Sequence, residues 1–158
     1  MLGLSPLGAI HTAISLIAVA AGLAAFVRDQ GIDPGNTLGR VYIWTTALTC
    51  LTGFGIFAHG GFGKPHALGI ITLVVLAMAV VAARTGLFGR FAAAVATVSY
   101  SLTFFFHMIP AITETGTRLP LGKPWLDSPE AEVLKLATGV LFLVFLIGAT
   151  LQVRRLGK

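Results

Sequence analysis

Charge is scarce in this sequence. Asp, Glu, Lys and Arg together make 11% of its 158 residues, where a soluble domain carries about a quarter. So few charges cannot furnish a water-facing surface, which leaves lipid to cover much of the molecule. Cysteine is nearly absent too. Cys50 stands alone, which excludes an internal disulfide and any Cys-based metal motif. Also missing are His-Glu-x-x-His, Cys-x-x-Cys-His and a nucleophile elbow, so no sharp catalytic signature is present. Internal repeats and low-complexity tracts are lacking as well, and the length suits one compact bundle over 1–158 without a separate soluble domain.

What is abundant is hydrophobicity: 56% of the residues are apolar and the mean hydropathy is +0.89. A helix needs about 20 apolar residues to cross the hydrocarbon core. Five runs approach that length, at 6–27, 41–58, 66–83, 91–112 and 133–153. The expected fold is therefore an all-α integral membrane bundle of about five transmembrane helices. Gly and Pro punctuate the connections, as at Asp33-Pro34-Gly35-Asn36 and from Leu119-Pro120 to Pro124. The first run reads as a retained span and not as a cleaved signal peptide, because no basic segment precedes it and Arg28 follows it. Ser128-Pro129-Glu130 reads as the N-cap that starts the fifth helix.

The net charge of +5 would suggest nucleic acid in a soluble protein. Here the basic residues flank apolar runs, so they serve as topology signals and no nucleic-acid partner is expected. One side of the membrane collects Arg28, Arg40, Arg84, Arg90, Arg154, Arg155 and Lys158. The other collects Lys64, Arg118, Lys123 and Lys135. The richer side is expected to be cytoplasmic, with the N-terminus outside, the C-terminus inside and the bacterial inner (cytoplasmic) membrane as the location. Tyr42 and Trp44 then fall at the inner interface and Trp125 at the outer one.

Polar stripes mark the faces expected to point inward. Gly8, His11, Ser15, Ala18 and Gly22 recur at helical spacing in the first run, and small stripes let membrane helices pack closely. The second run carries Thr45, Thr46, Thr49, Cys50 and Thr52, whose hydroxyls are expected mostly to bond their own helix. Tyr100, Thr103, His107 and Glu114 share a face of the fourth.

The four histidines are the informative feature. His11, His59, His66 and His107 lie on or beside different helices, and the orientation above puts all four toward the outer end. Imidazole in a membrane is costly and usually faces the bundle interior. It is also the commonest metal ligand and titrates near neutral pH. Converging imidazoles suit a transition metal such as zinc, copper or iron. Two opposed ones, His11 and His107, suit a haem b. Glu114 surfaces on the His107 face as a further ligand, a proton acceptor or an ion-pair partner of Arg118.

His11, the segment Leu38-Gly39-Arg40-Val41-Tyr42, His66 and His107 together resemble the bacterial multi-pass membrane proteins catalogued as domain of unknown function 2306. The resemblance covers about the first 110 residues. It departs where the family tends to carry His-Arg before the Leu-Gly-Arg segment and this chain has Asn36-Thr37. It implies a helical membrane fold and no established activity.

Three functions compete on this basis. The first is a metal- or haem-binding membrane protein working at the outer face in redox chemistry, electron transfer or metal handling. The second is an accessory or assembly subunit of a larger membrane complex, or a homo-oligomer, with structural histidines. A small transporter is the third and least favoured. Five helices fit inverted repeats poorly, and no charged residue lies at mid-membrane.

Overall fold

The computed structural model describes residues 5–57 and 61–157. The described residues form five α-helices: α1 (Pro6–Asp29), α2 (Thr37–Gly53), α3 (Lys64–Arg84), α4 (Ala92–Arg118) and α5 (Glu132–Leu156), with a 3-10 turn at Gly89–Phe91 leading into α4. No strand occurs among the described residues. Four segments are long and apolar enough to cross a membrane: α1, α3, the turn with α4, and α5. The remaining helix, α2, has 17 residues, about 25 Å of rise.

Local chemistry sets the helix ends. Ser5 caps α1 by accepting from the Gly8 amide at 3.1 Å, with Pro6 in the first turn, where its missing N–H costs nothing. The helix stops at Gln30, whose φ of 60° is left-handed. Asn36 caps α2, accepting from the Gly39 amide at 2.9 Å while its own amide donates to Asp29 at 2.9 Å. This polar turn starts α2 at Thr37, four residues before the expected 41. The far end comes at Gly53 instead of 58, where Gly55 and Ile56 bond three residues back, to Thr52 and Gly53. Two glycines there forgo helical propensity.

Beyond the expected 112, α4 continues to Arg118 through Pro110. One lost backbone bond is tolerated in a membrane helix whose neighbours take up the strain. The extra turns are held from outside, because the following loop folds back and the amides of Leu126 and Trp125 donate to the carbonyls of Gly116 and Leu119, each at 2.9 Å. Ser128 does not cap α5. Its hydroxyl accepts from the Glu130 amide at 3.1 Å within a turn, and the helix begins at Glu132 after Ala131.

Side-chain contacts fix the packing order. Neighbours in sequence run antiparallel. His11 meets Thr52 and Gly22 meets Tyr42 between α1 and α2. Gly69 of α3 meets Phe54, just past the end of α2. Ser101 meets Gln152 and Phe105 meets Phe145 between α4 and α5. Helices α1 to α4 close into a ring in which α4 also touches α1, and α5 packs outside on α4. Across the ring, α2 and α4 run parallel and join through Tyr42–Thr103 and Thr46–His107. The core gathers Ala21, Ala25, Tyr42, Leu76, Ala79 and Tyr100. Small residues dominate it, because lipid tails are as apolar as leucine and close backbone approach supplies the packing energy.

Candidate functional site

Both deep histidines are held by threonines of α2. His11 comes from the first turns of α1 and places Nδ1 3.1 Å from Thr52 Oγ1. A hydroxyl has one proton, and Thr52 gives its proton to the Leu48 carbonyl at 2.8 Å. His11 is therefore the donor, and its neutral ring keeps a lone pair on Nε2. His107, buried on α4, places Nε2 3.0 Å from Thr46 Oγ1. Its ring stands edge-on to Tyr42, with centroids 6.1 Å apart.

Thr46 behaves unlike its neighbours. Thr45, Thr49 and Thr52 each donate to the carbonyl four residues back, at 2.7, 2.7 and 2.8 Å, as expected for hydroxyls in apolar helices. Thr46 turns across the bundle to α4 instead. One turn away the same design recurs. Thr103 donates to the Tyr100 carbonyl at 2.8 Å, so the Tyr42 hydroxyl donates to Thr103 Oγ1 at 2.9 Å.

The Tyr42 side chain, expected at the inner interface, is completely buried. Its place on the same α2 face as Thr46 swings it inward, while Trp44, two residues on, stays exposed. Trp125 is exposed.

The anchors Thr46 and Thr52 are six residues apart, about 9 Å along α2. His107 therefore lies deeper than His11, toward the middle of the bundle. His11 nevertheless lies within electrostatic reach of both His107 and Glu114. Glu114 itself is exposed and pairs with Arg118 one turn on.

His66 opens α3 at the same end, and it is buried, not solvated. Its Nδ1 accepts from the Gly63 amide at 3.2 Å, which caps the helix and leaves the proton on Nε2. Phe57 and Phe62 stack against the ring at centroid distances of 5.0 and 5.4 Å. Among the described residues that Nε2 has no hydrogen-bond partner, and neither does the buried Tyr100 hydroxyl. His59 lies outside the described residues.

Among the described residues no three His, Cys, Asp or Glu side chains gather as a metal-binding group. The structure brings His11 and His107 into one interior, leaves Glu114 at its rim, and keeps His66 in a separate aromatic clasp. The sequence places Thr46 and Thr52 on an inward face and Tyr42 at an interface, but it does not mark them as the partners of the site. Their signal was the four-residue step from Tyr42 to Thr46, matched by the four-residue step from Thr103 to His107. No family model, curated protein or solved structure matches the chain.

Proposed function

We propose that this is a five-span inner-membrane protein, N-terminus outside, that binds a transition metal or haem through His11 and His107 near its outer face. The fifth span is α2. It lies along α1 from the His11–Thr52 contact at one end to the Asn36–Asp29 hydrogen bond at the other. A helix that flanks a membrane-long neighbour over its whole length crosses with it. The orientation rests on the seven-to-four division of basic residues.

One observation carries the ligand reading: α2 supplies a threonine to orient each imidazole. Metal-bound histidine almost always donates its other ring N–H to a fixed acceptor, which sets the tautomer and the ring direction. His11 donating to Thr52 has this arrangement. His11 and His107 would hold the metal or haem iron through imidazole nitrogen, and the bound group would supply redox or Lewis-acid chemistry.

Elemental analysis and a visible spectrum of the protein purified in detergent test this. Stoichiometric metal or a Soret band is expected in the wild type. His11→Ala and His107→Ala should lose it, and Thr46→Val and Thr52→Val should weaken affinity about 10- to 100-fold.

A second reading has its own observation. Each imidazole already ties one helix to another, and the Gly8, Ala18 and Gly22 stripe of α1 is buried within the chain. Histidines used this way serve an accessory or assembly subunit as structural groups. On that reading the purified protein carries no metal and no chromophore, and the alanine variants lower stability alone.

A further inference from the structure

The opposite end of the bundle carries a groove of about 470 Å³ on its outer surface, between the end of α3 and the start of α4. Met78, Phe88, Phe91, Val95 and Val98 line it, with Ser99 at its floor. That volume falls within the usual range for a small-molecule site, and its walls are almost wholly apolar. Two exposed cations belong to the same end of the bundle, Arg84 in the last turn of α3 and Arg90 in the turn before α4. The Arg90 guanidinium lies 4.7 Å from the centre of the Phe91 ring, which both fixes the cation and forms part of the groove.

Among the described residues no carboxylate is shown paired with Arg84 or Arg90. The chain has no Asp or Glu between Asp33 and Glu114. At this end of the bundle Asp29 is bound to Arg28 and Asn36, and Asp33 to Gly35 and Asn36. An apolar slot that opens sideways from a membrane helix pair, with Arg90 fixed on its Phe91 wall and Arg84 at the same end, is complementary to one kind of molecule.

We propose that this groove is a binding site for an anionic phospholipid of the leaflet it meets. The acyl chain lies against Met78, Phe88, Val95 and Val98, and the headgroup phosphate is held by Arg84 and Arg90. Basic pockets between membrane helices recognise anionic headgroups in this way. The site is independent of the histidines at the other end, so it stands or falls separately from the metal reading.

The test is native mass spectrometry of the full chain, titrated with phosphatidylglycerol and with phosphatidylcholine of the same acyl chains. Phosphatidylglycerol should be retained preferentially. Arg84→Gln and Arg90→Gln should each reduce that preference about fivefold while leaving phosphatidylcholine binding unchanged. Val95→Trp, which fills the slot without touching a charge, should release both lipids from this site. Equal retention of the two lipids, or a preference that survives both arginine substitutions, overturns the proposal. So does a Val95→Trp variant that holds phosphatidylglycerol as the wild type does.

Discussion

Thr46 shows at the scale of one residue how this interior is built. A threonine in an apolar helix ordinarily returns its proton to its own backbone, and Thr45, Thr49 and Thr52 do. When one such hydroxyl faces a histidine across the bundle instead, it becomes a tie between helices. Tyr42 and Thr103 form a second tie one turn away. Hydrogen bonds of this kind in membranes are modest, because the unfolded chain in the bilayer also finds partners. A double-mutant cycle of Tyr42→Phe and Thr103→Val should therefore give a coupling of about 0.6 kcal/mol, and at most ~1.7 kcal/mol. Reversible unfolding in mixed micelles measures it, and zero coupling would mean that the hydroxyls find equal partners apart. These ties were only half legible beforehand. Composition and spacing place the hydroxyls on one face, but which of them bonds its own helix depends on what stands opposite. His66 shows the same limit: its burial comes from Phe57 and Phe62 closing on it, a tertiary event that no local pattern announces.

At the scale of elements, the turns decide more than the apolar runs. The α1–α2 turn brings the backbones so close that a Cβ on Gly39 would lie 1.9 Å from the Asp33 carbonyl oxygen. Gly39→Ala must push the turn open, and it should destabilise the protein by about 1–3 kcal/mol. Gly86→Ala in the α3–α4 turn, where nothing stands within 4 Å, should leave the melting temperature unchanged. Thermal unfolding of the two variants makes the comparison. A neutral Gly39→Ala would mean that the turn is not packed as described.

The 119–131 loop carries a pH-dependent contact. Lys64 pairs with Glu130 at 2.6 Å and holds its carboxyl below the usual range. A depressed carboxylate pKa stabilises the folded loop above the ordinary carboxylate value. The contribution is lost as pH falls through the lowered one. Amide exchange in the loop, corrected for its intrinsic pH dependence, should therefore quicken on acidification below that range, and Glu130→Gln should abolish the response. The pair is exposed, so high salt should weaken it as well. Helix existence was legible from hydropathy at this scale, while the ends were not. Asn36 starts α2 through polar residues that hydropathy excluded, and the back-folded loop carries α4 past Ile112 to Arg118.

Over the whole molecule, the scarcity of charge defines the protein. Four helices with the length and composition to span a membrane follow from it directly. The ring of α1 to α4, with α5 outside, does not, because hydropathy says nothing about which helices touch. That arrangement sets His11 and His107 in one interior toward one end and leaves Arg84 and Arg90 at the other. We propose that the histidine end of the bundle faces outward and that all five helices cross the membrane. Thiol labelling on intact cells tests it most directly, in a Cys50→Ser background with one new cysteine at a time. Leu121→Cys lies in the exposed loop at the histidine end and Gly86→Cys in the turn at the arginine end. With the histidine end outside, a membrane-impermeant reagent should modify Leu121→Cys in intact cells and reach Gly86→Cys only after the membrane is opened. The reverse pattern, or labelling of both positions from outside, would contradict it.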